Sequence, residues 1–261
     1  MAPQLWQTLL ITAAAATALL LLAFAIALLV GRFNVVDIFW GPGFALIAAL
    51  SFTLSAGHGS MLRRAVLLAA TVIWGLRLAV YIGWRSHGAG EDPRYDDMLS
   101  KAPGSRAGYA LRRVFLSQAA LIWLISAPVQ AGMFGRGPAW TIAAGLALWL
   151  TGIGCESIGD WQLARFKASP ANRGKIMERG LWRYTRHPNY FGDACVWWGL
   201  FVLSCGSWLE LSTVFAPLLM TFLLAAGSGK PLTEGRLAAR PGYADYTART
   251  SGFIPRPPRR R

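Results

Sequence analysis

Acidic residues are scarce in this chain: 12 Asp and Glu stand against 26 Lys and Arg among 261 residues, and only 15% of positions are charged. So small a polar complement cannot coat a water-soluble globule of this length, which excludes an ordinary soluble domain. Cysteine is rare too. Cys155, Cys195 and Cys205 sit in or near apolar stretches at no metal-ligand spacing and read as packing residues. The three histidines, His58, His87 and His187, form no ligand cluster, so no metal is expected. No internal repeat is visible, which argues against a transporter built from paired halves.

What the chain has in excess is apolar run length. Hydrophobic residues make up 54% of it. Stretches near the ~20 residues needed to cross ~30 Å of hydrocarbon recur along the sequence. They are Trp6–Val30, Val35–Ser55, Ala65–Trp84, Val114–Phe134, Ala139–Trp161, Tyr190–Cys205 and Leu209–Gly227. The first carries no charge, and it lacks the basic flank and short apolar core of a signal peptide, so it is read as a retained helix. The sixth is short, which leaves six or eight spans open. The expectation is an all-α integral membrane protein of about seven transmembrane helices, forming a single transmembrane domain over 1–261.

Charge placement orients it. With the N-terminus outside, the loops 31–34, 85–113 and 162–189 and the tail after 228 hold 22 of the 26 Lys and Arg residues. The opposite loops hold Arg63, Arg64 and Arg136, and Arg77 falls within a span. This asymmetry places the C-terminus in the cytoplasm. It also removes the need for a nucleic-acid partner to explain the net charge of +14. The last residues, a basic tail over 256–261 within "IPRPPRRR", cannot be helical through the prolines and read as a frayed end.

Charged groups at membrane depth are functional candidates by default. Here they are Asp37, Arg77, Glu156, Asp160, Asp193 and Glu210. Glu156 and Asp160, four apart, share a face of the fifth span, which Lys167 rejoins two turns later. Asn189 and Asp193 are likewise four apart on the sixth. These two faces flank the connector 162–189, which describes a pocket opening to the cytoplasm. Lys167, Arg173, Lys175, Arg179, Arg183 and Arg186 make the connector cationic, and Pro188 suits the first turn of the helix that follows. Cations running into a helix N-terminus suit phosphate groups. They suit anionic lipid headgroups equally. The interleaved Trp182, Tyr184, His187, Asn189 and Tyr190 favour a built site.

The segment "GLWRYTRHPNYFGD" with "VWWG" after it resembles the signature of a DUF1295-like bacterial membrane family related to the C-terminal domain of steroid 5α-reductases (3-oxo-5α-steroid 4-dehydrogenases). "VVDIFWGPGF", "WGLRLAVYIGWR", "GEDPRYDDM" and "RPGYADYTARTSGFIP" are similar to that family as well. The likeness runs from about residue 34 to 255, with the C-terminal-like region from about 100. "RHPNYFGD" by itself also resembles sterol reductases and the isoprenylcysteine and phospholipid methyltransferases.

The resemblance implies a multi-pass enzyme of the bacterial inner membrane. It implies NADPH held between C-terminal helices and cytoplasmic loops, and hydride transfer to the activated C=C bond of a lipophilic, steroid-like enone. By position, the cofactor contacts fall on Asn189, Asp193, Asp160 and Lys167, with Glu156 standing where the family has asparagine. Arg173, Lys175, Arg183, His187 and Tyr190 join them from the connector, and Arg240, Tyr243 and Tyr246 from the tail. On the substrate side the family's Gln-Glu pair is absent. Asp37 and Trp40 occupy that stretch, Trp74 stands where the family has a tyrosine, and Tyr81 lies two turns on. Asp37, Tyr81 and Trp74 are therefore the catalytic candidates. Asp37 serves either as a protonated acid that stabilises the enolate or as an ion-pair partner of Arg77. The competing activity is S-adenosylmethionine-dependent methyl transfer. The dense cations favour NADPH, which carries phosphates. A monomer in a lipid bilayer, with a lipophilic substrate and no nucleic acid, is the expected assembly.

Overall fold

The computed structural model describes residues 2–259, and among them the ordered elements are all helical. Six helical stretches are long and apolar enough to cross a bilayer: Pro3–Val30, Phe33–Leu54, Met61–Ser86, Arg106–Gly132, Ala139–Ala168 and Trp208–Leu237. The remaining apolar stretch forms a 17-residue helix, Pro188–Ser204. At 1.5 Å per residue it is about 25 Å long, the lower limit for a span. The chain is thus a multi-pass α-helical membrane protein. It divides into two compact units: residues up to Ile142 together with Leu203–Ala216, and Ala143–Val202 together with the chain from Pro217 on.

In the first unit, α1 (Ala2–Val30) holds no charged residue and is apolar all round. Its buried stripe runs Thr8, Thr12, Ala16, Leu20, Ala23 and Ala27, at helical spacing, while Leu10, Leu22 and Leu29 face outward. Two polar contacts fasten it to α5 (Arg106–Gly132). The Thr12 hydroxyl meets Gln130 Oε1 at 2.6 Å, and Trp123 Nε1 donates to the Leu9 carbonyl at 3.0 Å. In hydrocarbon such groups act as helix glue. A π-helical turn, Leu111–Leu116, interrupts α5 near its start.

α2 (Trp40–Leu54) follows a 3₁₀ turn over Phe33–Phe39, and α3 (Met61–Ser86) returns against it. They touch backbone to backbone. A Cβ on Gly41 would stand 1.8 Å from the Gly75 carbonyl oxygen, and one on Gly75 would stand 2.5 Å from that of Gly41. One turn on, Phe44 packs its ring 5.6 Å from that of Trp74. Arg63 and Arg64, read from sequence as loop cations, are buried. Arg63 donates to Thr141 Oγ1, to the Pro138 carbonyl and to the Leu203 carbonyl, while Arg64 Nε donates to Ser55 Oγ.

In the second unit, α6 (Ala139–Ala168, of which the part from Ala143 belongs here) lies antiparallel to α7 (Pro188–Ser204). Glycines at seven-residue spacing on α6 make the contact. Added Cβ atoms at Gly192 and Gly152 would meet the other glycine's carbonyl oxygen at 2.5 and 2.6 Å, and one at Gly199 would meet Gly145 O at 2.8 Å. At Gly159 the neighbour is the Pro188 ring, whose Cγ would stand 3.1 Å from an added Cβ. α8 (Phe215–Ala225, of which the part from Pro217 belongs here), α9 (Lys230–Leu237) and α10 (Tyr243–Arg249) follow. The tail is not frayed. Arg256 N donates to the Tyr184 carbonyl and Arg259 N to the Arg249 carbonyl, both at 3.0 Å. Its prolines exclude helix but leave these N–H groups free to tie back. Arg260 and Arg261 lie outside the described residues.

Replacing Gly41 by Ala is expected to lower stability by about 3 kcal/mol, because a backbone oxygen cannot step aside as a side chain can. Gly83→Ala, where a Cβ meets nothing within 4 Å, serves as the control. Thermal melts in detergent check the pair, with only Gly41→Ala expected to melt early.

Candidate functional site

The glycine contacts set the C-terminal end of α6 beside the N-terminal end of α7. Gly159 against Pro188 brings Asn189 Nδ2 to 3.3 Å from Asp160 Oδ1. Asp160 and Glu156 are buried, at 4% and 3% exposure. Asp193 lies one turn deeper on the helix that carries Asn189. The buried amide oxygen of Asn189 has no hydrogen-bond partner among the described residues.

Next to this group lies a second one, built on Glu234 of α9. Its carboxylate accepts from Arg186 Nε at 2.9 Å and Nη2 at 3.2 Å, and from His187 Nε2 at 3.0 Å. The His187 ring stacks on Tyr190 with centroids 5.1 Å apart and planes within 2°. The Tyr190 hydroxyl meets Thr233 Oγ1 at 3.2 Å. Arg186 Nη1 also donates to the Thr250 carbonyl at 2.6 Å. Arg186 is therefore a structural tie and not a cation held ready for phosphate. Trp182 bridges the connector to both sides: its Nε1 donates to Gly159 O at 3.0 Å, and its carbonyl accepts from Tyr246 Oη at 2.6 Å. Burial pushes the Tyr246 and Tyr243 hydroxyls up from their ordinary values, so both remain protonated donors.

The structure thus gathers Glu156, Asp160 and Asn189, and separately His187 and Tyr190 around Glu234, with Tyr243 and Tyr246 buried beside each other. It leaves Lys167, Arg173, Lys175, Arg183 and Arg240 exposed. Glu234 and Thr233 were missed from sequence, and Trp182 was read only as one of the connector's interleaved aromatics. The available signal was that Glu234 is one of only two acids in a strongly basic tail, with eight Lys and Arg residues to pair with.

In the first unit, Asp37 is not paired with Arg77. Its carboxylate accepts from Tyr95 Oη at 2.5 Å and from Arg94 Nη2 at 3.2 Å. Both partners belong to α4 (Pro93–Ser100), which Asp92 caps by accepting from Arg94 N at 2.8 Å. Glu91 binds the N–H groups of Phe33 and Asn34, at the start of the turn that carries Asp37. Burial, followed by the charge on Asp37, pushes the Tyr95 hydroxyl well above its ordinary value. Gln118 completes the cluster, accepting from Trp40 Nε1 at 2.6 Å. The three catalytic candidates occupy three settings. Asp37 sits in this cluster, Trp74 is fully buried against Phe44, and Tyr81 is half-buried with the guanidinium groups of Arg77 and Arg85 at 5.5 and 5.6 Å from its ring centre.

Fold and site together define a multi-pass helical membrane protein with buried acids beside a clamped basic connector. The chain belongs to the family described as Protein of unknown function (DUF1295), which matches residues 23–250. Searches of curated proteins and of solved structures found no match.

Burial, reinforced by the charges of Arg186 and Lys230, lowers the His187 pKa from 6.5 to about 4 against the opposing pull of Glu234. As pH falls below 6.5 the unfolded chain takes up this proton first. The His187 contribution to stability is therefore expected to fall between pH 6.5 and 4, by roughly 3 kcal/mol, and to level off below. His187→Gln, which keeps a neutral donor, is expected to show that much less acid sensitivity in detergent melts across this range. Equal slopes in both proteins would refute the assignment.

Proposed function

We propose that the protein is an NADPH-dependent reductase of the bacterial inner membrane, acting on the activated C=C bond of a lipophilic enone, with its basic loops in the cytoplasm. The observation that carries this reading is the Asp160–Asn189 pair, with the Asn189 amide oxygen buried and unsatisfied. An unmet buried acceptor costs about 1–3 kcal/mol, which a ligand N–H or O–H recovers. The carboxamide, adenine amine and ribose hydroxyls of a dinucleotide are donors of that kind. The buried carboxylates of Glu156 and Asp160 suit ribose hydroxyls. Lys167, Arg173, Lys175 and Arg240 stand exposed on the connector and before α10, able to reach phosphates.

When bound, NADPH would supply the hydride. The residues of the chain then bind and orient. Asn189 and Asp160 hold the polar edge of the ligand, and the Glu234 clamp fixes the connector around it. On the substrate side we assign Tyr81, because two guanidinium groups over its ring create a positive field where enolate charge develops. Asp37 accepts from two donors, so it positions α4 and does not donate to a carbonyl.

In detergent, NADPH at one hundred times its Kd is expected to stabilise the protein by about 2.7 kcal/mol, with S-adenosylmethionine inert. Asn189→Ala is expected to weaken NADPH binding tenfold or more while leaving membrane insertion intact. Stabilisation by S-adenosylmethionine alone would replace the reductase with a methyltransferase.

A further inference from the structure

The second unit holds a cleft of about 730 Å³ that the proposed cofactor site does not use. Glu156, Asp160 and Asn189 do not line it. One wall is lined by Glu178, Arg179, Arg183 and Tyr184 and the other by Arg249, Thr250, Pro257, Pro258 and Arg259, so four of the nine lining residues are arginines.

Both walls are fixed. The turn Gly180–Arg183 is held by Leu181 N donating to Gln162 Oε1 at 3.0 Å and by Trp182 donating to Gly159 O. The other wall runs beside residues 184–186. Arg186 N donates to Ser251 O at 2.9 Å and Thr185 Oγ1 to Phe253 O at 2.8 Å, and Arg259 N closes the segment onto the Arg249 carbonyl. Pro257 and Pro258 stiffen the backbone before Arg259. Four guanidinium groups therefore project from rigid chain into one space.

Their charge is not balanced. Arg249 pairs with the Glu178 carboxylate. Among the described residues, Arg179, Arg183 and Arg259 have no hydrogen bond or ion pair through their side chains. A solvated face mixes charges of both signs, whereas here four arginines meet one acid. The apolar part of the lining is confined to Tyr184, Pro257 and Pro258, beside four arginines. Guanidinium forks match the paired oxygens of phosphate, and an anion of two or more charges relieves the repulsion among them.

We propose that this cleft binds a phosphate-bearing ligand, supplied either by an anionic phospholipid headgroup or by a soluble phosphate compound. The proposal does not depend on the reductase reading, and its probes carry no nicotinamide. The test uses the full chain in neutral detergent. Thermal stabilisation is measured with pyrophosphate and with dioctanoyl phosphatidylglycerol, against sodium chloride of equal ionic strength and dioctanoyl phosphatidylcholine. At least one of the first two is expected to raise the Tm. Arg179→Gln/Arg259→Gln is expected to lose tenfold or more in apparent affinity, while Lys101→Gln, which removes an exposed cation of the first unit, loses none. Both arginines are exposed, so the double variant is expected to fold with an unchanged or higher unliganded Tm. Response to pyrophosphate identifies a soluble source, and response to phosphatidylglycerol alone identifies lipid. If neither probe exceeds its control in the wild-type protein, or if the double variant binds as the wild type does, the proposal is overturned.

Discussion

Backbone contact between α6 and α7 is the constraint on which the second unit rests. In hydrocarbon no hydrophobic force draws helices together, and close packing must do that work. Gly145, Gly152 and Gly159 recur every seven residues, so they return to nearly the same face of α6, and Gly199, Gly192 and Pro188 meet them from the antiparallel helix. The closeness has a chemical result. Asp160 and Asn189, at this end of the helix pair, come within hydrogen-bond distance because the glycines beneath them let the helices approach closely. A polar pair at a helix end is in this sense a property of the apolar interface one and two turns away.

Scarce carboxylates give the rest of the molecule its order. In a chain this basic, each acid has many possible partners, and the structure spends them on joints between segments. Asp37 joins the turn before α2 to α4. Glu178 joins the connector to α10, and Glu234 joins α9 to the residues leading into α7. Glu210 and Ser207 together cap the short helix Trp208–Leu211. Cations with no acid to meet are left over on surfaces such as the arginine cleft, where they become available to ligands.

Much of this was legible in the sequence. Apolar run length fixed six of the helices, because a span's length is set by the bilayer and not by neighbours. The i,i+4 spacing of Glu156 with Asp160 and of Asn189 with Asp193, on helices flanking one connector, was enough to anticipate a shared polar end. Partner choice was not legible. Arg77 is the nearer cation to Asp37 along an adjacent helix, yet Arg94 prevails because Asp92, Pro93 and Glu91 build a short capped helix that delivers it. The glycine heptad was visible as spacing, but a spacing means little until its opposite number is known. The tail misled because proline rules out helix without ruling out a backbone tie to a distant segment.

The Glu234 clamp also has a consequence in time. Arg186 and His187 leave the ribosome 48 and 47 residues before the carboxylate that binds them. At about 5–20 residues per second, the connector waits roughly 2–10 s with its cations unanswered. In the later part of that interval, once Ser204 has been made, α6 and α7 can pair through their glycines while Glu234 is still to come. The site is therefore sealed from the C-terminal side, last of all, by a segment that has no counterpart to bind until the earlier helices are in place.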